Sequence, residues 1–319
     1  MKKISLVIPM YNEEEMTKLL FEALEERVIQ SLQGKYEVEI VAVNDGSKDK
    51  TLELLKEEQN KRPYIVIVNL SRNWGQEPAV RAGLLTATGD CIIPMDADLQ
   101  DPPEIIPQLL ELWEQGYEVV NAVRTSRKKD TAFKRNTAGM YYRYLDKISP
   151  KIKLPNNVNN FRLLDRRVVD EINALTESNR VLRIEVPFVG FKTGAVEFAR
   201  QERAKGKTHY PISAMIDLAK NSIVSISVRP LEIPLKLTSL LFFMFLVSGV
   251  VELVLFILDL TKVLDINIIA LWGWLIINVI LLVSSILGFM IALQSLYTGK
   301  IAEETSNRPS VIIKEVIKK

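Results

Sequence analysis

The stretch CIIPMDADLQDPPE, residues 91–104, sets four mostly apolar residues against a burst of carboxylates and prolines. Carboxylates are costly to bury unless they are paired or bound to a cation. Asp96 and Asp98, at the mouth of what reads as a buried strand, therefore mark either a strand-end turn or a metal site. Cys91 reads as a small apolar strand residue. As the single cysteine of 319 residues, it excludes an intramolecular disulfide and a cysteine-rich metal site.

The same pattern recurs on both sides of that stretch. ISLVIPMYN (4–12), VEIVAVNDGS (38–47), YIVIVNLS (64–71) and YEVVNAV (117–123) are apolar runs, with helical segments between them. Glu13 to about Gln33 reads as one helix, and a second runs to Lys61. Continuous apolar strands interleaved with helices predict an α/β fold with a mostly parallel sheet covered on both faces. In such sheets ligands sit at the carboxyl ends of the strands. The polar clusters fall there: Tyr11-Asn12-Glu13, Asn44-Asp45-Gly46-Ser47, Ser71-Arg72-Asn73, Asp96-Ala97-Asp98 and Arg124. Five clusters at five strand ends are harder to account for as independent turns than any one alone.

Neither G-x-G-x-x-G nor G-x-x-x-x-G-K-[ST] is present, so phosphate must be handled without either common loop. Asp96 and Asp98, with the carbonyl oxygen of Gln100, are hard oxygen ligands suited to Mg²⁺ or Mn²⁺. A D-x-D triplet alone is usually a solvated turn. Its place after an apolar strand, ahead of LQDPPE, favours metal binding. The ion would neutralise a diphosphate leaving group.

Composition is 48% hydrophobic and 25% charged, and the length suits two domains or one domain with an appendage. A net charge of +2 gives no global field for nucleic acid. The opening MKKISLVIPMYNEE is read as lacking a signal peptide, because its apolar run is short and meets acids at once. Charge is unevenly spread. Residues 237–258 carry only Glu252, and residues 268–296 carry none. Each run exceeds the roughly 20 residues needed to cross a bilayer core, so a two-helix transmembrane hairpin is expected. The tail beyond it holds Lys300, Arg308, Lys314, Lys318 and Lys319. By the positive-inside tendency this places the tail, and with it the N-terminal domain, in the cytoplasm. Residues 210–234 space their apolar side chains helically. They suit either an interfacial amphipathic helix or a helix packed on the soluble domain, and the adjoining span favours the former.

IPMYNEE (8–14), VNDGSKDKT (43–51), LSRNWGQE (70–77), MDADLQDPPE (95–104) and NNFRLLDRRVV (159–169) carry a resemblance. As an ordered set, which extends to GKIAEETSNRP (299–309), they resemble the polyprenyl-phosphate glycosyltransferases of inverting glycosyltransferase family 2. These are relatives of dolichol-phosphate mannose synthase and of the bacterial undecaprenyl-phosphate glucosyl and N-acetylglucosaminyl transferases. The Q-x-x-R-W motif of processive synthases is absent.

The resemblance implies a GT-A-like, Rossmann-like catalytic domain over 1–209. Juxtamembrane helices would follow over 210–234, the hairpin over 235–298 and a cytoplasmic tail over 299–319. Pro9, Tyr11, Glu13, Asp45, Arg72, Asn73, Asp96 and Arg124 would bind the nucleotide sugar. Asp96, Asp98 and Gln100 would hold the metal. Arg124, Lys134, Arg203 and His209 would meet the lipid phosphate, and Asp96, Asn160 and Arg203 would form the catalytic set. The implied reaction is inverting transfer from a nucleotide sugar, UDP-glucose or UDP-N-acetylglucosamine, to undecaprenyl phosphate at the bacterial cytoplasmic membrane. The hairpin offers a surface for homo-oligomerisation.

Two residues depart from the family pattern. Asn160 stands where relatives have an Asp often taken as the base. An amide takes no proton, but a phosphomonoester acceptor with a second pKa of about 6 has little proton to give up. His209, the only histidine, stands where relatives tend to have Lys. It reads as a loop residue or as a pH-dependent phosphate contact. Two rival functions remain: a membrane-anchored transferase with a non-lipid acceptor, and a silent paralogue that binds nucleotide sugar, for which Asn160 is the supporting feature.

Overall fold

The structure, a computed structural model, describes residues 1–125, 158–175, 181–199, 268–305 and 309–319, with isolated positions between 243 and 261. The chain divides into two units, Met1–Ser222 with Arg308–Lys319, and Ile223–Asn307.

Among the described residues of the first unit there are eight strands: β1 Lys2–Met10, β2 Tyr36–Asn44, β3 Ile65–Leu70, β4 Cys91–Pro94, β5 Val119–Arg124, β6 Val158–Asp165, β7 Thr193–Phe198 and β8 Ile313–Ile317. They form one sheet in the order β7-β5-β6-β4-β1-β2-β3-β8. The β1–β2, β1–β4, β2–β3 and β5–β7 pairs are parallel, and β6 and β8 run antiparallel to their neighbours. The sheet is thus mostly parallel, as the apolar runs predict.

Burial on both faces is the reason these strands read as continuous hydrophobic runs. In β1, Ile4, Leu6, Ile8 and Met10 enter one core layer while Val7 enters the other. In β2, Ile40 and Ala42 face the first layer, and Val41 and Val43 the second. Helix α1, Glu14–Leu24, seals the first layer with Met16, Leu20, Phe21 and Leu24. It continues through a π turn, Glu25–Ile29, into Gln30–Leu32, so the helix expected over 13–33 is present with a bulged middle. Helix α2 is Thr51–Lys61. Helix α3, Gln76–Thr86, lies so close to β1 that a Cβ on Gly83 would stand 2.2 Å from Val7 Cγ1. Among the described residues of the unit, helices α4 (Ile106–Glu114), α5 (Arg166–Ala174) and α6 (Leu182–Val189) follow.

The segment read from sequence as a tail, 299–319, is more than a tail. Its end, β8, is an edge strand paired with β3. The short IKEVI pattern is too brief to stand out as a strand, and its partner lies some 250 positions earlier in the chain.

In the second unit, helix α7, Ile268–Thr305, has 38 residues. Among the described residues it alone is long and apolar enough to cross a membrane. Its apolar side chains are exposed, Ile276, Ile280, Leu287 and Ile291 each by about half or more. The first expected span, 237–258, apart from isolated positions, and the expected amphipathic segment 210–234 lie outside the described residues.

Candidate functional site

Three parallel strands end at one rim, and their loops are stitched to each other. After β1, the Asn12 N–H donates to Ser47 Oγ at 3.0 Å and the Lys48 N–H donates to Asn12 Oδ1 at 2.9 Å. The Glu13 N–H donates to Thr51 Oγ1 at 2.9 Å. Asn12 takes φ +53, a left-handed conformation that Asn tolerates. These bonds set Pro9, Tyr11 and Glu13 beside the Asn44–Ser47 turn. Gly46 in that turn has φ +63, and a Cβ there would lie 2.3 Å from the Arg72 carbonyl carbon. Only glycine lets the β3 loop approach this closely.

Asp45 is buried and organises that loop. Its carboxylate accepts from Trp74 N at 2.7 Å and Gly75 N at 2.9 Å. Burial raises its pKa, opposed by those two N–H donors and by Arg72. The Arg72 guanidinium stacks on the Trp74 ring at 3.8 Å. Asn73 is exposed beside it. From the start of α3, which follows that loop, Gln76 Nε2 donates to Asp96 Oδ1 at 2.7 Å, and Glu77 accepts from Asn160 Nδ2 at 3.3 Å and Leu182 N at 3.1 Å. The segment 71–77 thus ties the ends of β2, β4 and β6 together.

At the end of β4 the carboxylates crowd. Asp98 and Asp101 are buried, and Asp96 is part-buried. Asp98 Oδ1 accepts from Gln100 N at 3.1 Å, across Leu99 at φ +55. Burial, then the Asp101 and Asp98 carboxylates, push the Asp96 carboxyl up to about 7, against the pull of Arg124. A group so placed is short of positive charge. Hard oxygens in that state fit a divalent cation. Among the described residues no group of three or more His, Cys, Asp or Glu side chains forms a metal cage. An ion here would therefore take its remaining ligands from water and substrate phosphates, as Mg²⁺ commonly does.

Behind Asn160 lies a fully buried guanidinium, Arg162. Burial and the neighbouring Arg183 bring its pKa down to about 10, while Glu77 opposes them. Burial raises Glu77 in turn, against the Leu182 and Asn160 hydrogen bonds and the two arginines.

The structure gathers Pro9, Tyr11, Glu13, Asp45, Arg72, Asn73, Asp96, Asp98, Gln100, Arg124 and Asn160 at one end of the sheet. Arg124, expected to meet phosphate, pairs with Asp101 at 2.9 Å. Lys134, Arg203 and His209 lie outside the described residues. Sequence reasoning missed Asp101, Gln76, Glu77 and Arg162 as members of the site. Each sits inside a motif already singled out, but its part depends on a partner distant in the chain.

Comparison with known proteins gives a consistent picture. A family profile described as Glycosyl transferase family 2 matches residues 5–173. The chain is 40% identical to the "Prophage bactoprenol glucosyl transferase homolog" of Escherichia coli K12, over 99% of this chain and 100% of that protein. It is 43% identical to the "Bactoprenol glucosyl transferase" of Shigella phage SfV, over 72% of this chain and 74% of that one. Among solved structures it resembles glucosyl-3-phosphoglycerate synthase from Mycobacterium tuberculosis in complex with Mn²⁺, UDP and glucosyl-3-phosphoglycerate. The TM-score is 0.50 and the identity 16%, with 70% of this chain and 78% of that one covered. At that identity the likeness concerns the fold, and the α/β sheet described above is of that GT-A-like kind.

Proposed function

The chain belongs to glycosyl transferase family 2 and is a glycosyltransferase, and on that premise we propose that it moves a sugar from a nucleoside diphosphate sugar onto undecaprenyl phosphate. The donor is UDP-linked, with glucose or N-acetylglucosamine as the sugar, and the product has inverted configuration. The acceptor follows from the relatives described as bactoprenol glucosyl transferases, one of them matched over its full length. The observation that carries the donor half is the crowding of Asp96, Asp98 and Asp101 at the end of β4. A divalent cation bearing a diphosphate would relieve that crowding.

Asp98 and Asp96 would hold Mg²⁺ or Mn²⁺, which supplies charge neutralisation of the departing diphosphate. The chain's own residues do the rest. Asp45 fixes the 71–77 loop against the base side of the pocket, and Gln76 orients the Asp96 carboxylate. An oxygen of the lipid phosphate attacks the anomeric carbon as the bond from that carbon to the diphosphate breaks, and the nucleoside diphosphate leaves. A phosphate monoester is largely a dianion at neutral pH, so Asn160 need not accept a proton. Held by Glu77, it positions the acceptor. Catalysis is mostly orientation and electrostatics.

Membrane attachment is supported by the exposed apolar surface of α7. Strand β8 supports the hairpin. A strand paired with β3 lies on the same side of a membrane as β3, so the intervening chain crosses an even number of times. A hairpin of 237–258 and 268–296, with the catalytic unit cytoplasmic, meets that condition. Cysteines at Lys262 and Lys314, in a Cys91→Ser background, should differ in whole-cell labelling by an impermeant thiol reagent, with 262 labelled and 314 protected. The reverse pattern would place the unit outside.

The deciding experiment supplies membranes holding the protein with radiolabelled UDP-sugars, one at a time, and undecaprenyl phosphate. Label should enter the lipid phase with one sugar. Transfer to water-soluble acceptors without any lipid requirement would overturn the acceptor assignment.

A further inference from the structure

The C-terminal strand reaches the nucleotide end of the sheet through a row of three side chains. Asn44, Asn69 and Glu315 stand opposite one another in β2, β3 and β8. Glu315 Oε1 accepts from Asn69 Nδ2 at 2.8 Å, Asn69 Oδ1 accepts from Asn44 Nδ2 at 2.8 Å, and Asn44 Oδ1 accepts from Ser47 N at 3.3 Å. Asn44 and Asn69 are buried, 2% and 5% exposed.

We infer that Glu315 is a positioning residue: its carboxylate sets the direction of a two-amide relay that holds the Asn44–Ser47 turn in its donor-binding shape. The physical reason is the asymmetry of the groups. An ionised carboxylate only accepts, whereas a side-chain amide has one accepting and one donating end. With Glu315 at the head of the row, Asn69 must turn its NH₂ toward β8, which leaves its oxygen for Asn44. Asn44 must then give its NH₂ to Asn69 and keep its oxygen for Ser47 N–H. Reversing the first amide would bring two NH₂ groups together, or set the Asn44 NH₂ against the Ser47 N–H. The turn so held carries Asp45, which grips Trp74 and Gly75, and Ser47, whose Oγ receives the Asn12 N–H. The strand that follows the apolar helix thereby helps to shape the loops after β1, β2 and β3.

The consequence for nucleotide rests on the donor assignment given above, so the test reads the relay and the nucleotide separately. Full-length protein in detergent is compared as wild type, Glu315→Gln, Glu315→Ala, Glu315→Lys and Lys314→Ala, the last an exposed change on the same strand. Glu315→Lys presents only donors and so demands the reversed relay. Hydrogen exchange of a peptide covering 44–50 should quicken most in Glu315→Lys and less in Glu315→Ala. It should be unchanged in Glu315→Gln, whose amide oxygen can replace the carboxylate, and in Lys314→Ala. Affinity for UDP with Mg²⁺ should fall about tenfold in Glu315→Lys and about threefold in Glu315→Ala, within the range of measured long-range couplings. It should hold within about twofold in Glu315→Gln. Unchanged exchange in Glu315→Lys, or a Gln variant as impaired as the Lys variant, overturns the relay. A wild type that binds no UDP while exchange follows the stated order leaves the relay standing and overturns the donor assignment instead.

Discussion

Glu39 and Asp96 are carboxylates set against the same parallel strands, at opposite ends. Glu39 lies toward the strand starts, opposite Ser5. It accepts from Ser5 Oγ, from Thr88 N at 2.9 Å and from Thr88 Oγ1 at 2.9 Å, with Lys3 Nζ at 3.3 Å. Burial alone would raise its pKa, but those hydrogen bonds and Lys3 take it below the ordinary range. Asp96 lies past the strand ends, with Gln76 as a donor, two carboxylates for neighbours and Arg124 pulling the other way. The fold gives Glu39 enough donors and a lysine to outweigh its burial, whereas the Asp96 pKa stays raised despite the pull of Arg124. One carboxylate belongs to the scaffold. The other keeps a raised pKa beside two further carboxylates, the kind of perturbation that gathers at functional sites.

The strongest way to break this comparison is to remove the carboxylate beside Asp96. On the proposed assignment, Asp98→Ala would take a metal ligand from a site with few protein ligands. Turnover should fall by about a thousandfold or more, the scale of losing a main electrostatic stabiliser. EDTA should imitate the loss, and Mg²⁺ or Mn²⁺ should restore only the wild type. Full activity in EDTA would defeat the assignment.

Glu39→Ala should do the converse. It takes the acceptor from the buried Ser5 hydroxyl and from the Thr88 N–H and hydroxyl, and should lower stability by about 1–3 kcal/mol, with turnover per folded molecule unchanged. The pH dependence has a definite sign. The folded pKa of Glu39 is below its unfolded value of about 4.3, so its contribution is complete above that pH. It is lost as the pH falls through the folded value. Melting in detergent from pH 6 downward should show wild type and Glu39→Ala converging in acid. Turnover lost without stability would erase the division between the two ends.

The two ends also differ in how far the sequence discloses them. Strands β1 to β5 are legible because burial on both faces leaves no alternation to confuse with helix. The strand-end clusters are legible because a buried run that turns polar at once has reached the rim of the sheet, where parallel strands present their ligands. The antiparallel members are not legible. β6 holds Asn159, Asn160 and Arg162, and the buried Arg162 has Glu77, from a distant segment, acting on it. β8 is five residues long and finds its partner across the whole chain. Asp101 is one acid of an acidic loop in the sequence, and a buried ion-pair partner of Arg124 in the fold. Composition and period register what a segment buries, but they do not register which distant charge balances it. That is the information that separates Glu39 from Asp96.

The finest test of the comparison is Asn160→Asp, because it keeps the side chain's shape but puts an acceptor oxygen where the Nδ2 donor to Glu77 stands. If position is the whole task of Asn160, the rate should change by less than about tenfold, or ~1.4 kcal/mol of barrier. The structure gives the change a direction. Asn160 Nδ2 donates to Glu77 Oε1 at 3.3 Å, and Glu77 already has its pKa raised by burial. An Asp there would set two carboxyl groups face to face. They would have to share a proton at neutral pH or spread apart, so the rate should fall rather than rise. Raising the pH should deepen the fall as the shared proton leaves. The wild-type rate should instead rise through the acceptor's own pKa, near ~6, and flatten above it. A gain of about a hundredfold or more, the least expected from restoring a general base, would mean that position 160 needs a proton acceptor. The hydrogen bond to Glu77 would then be the resting place of a disabled residue.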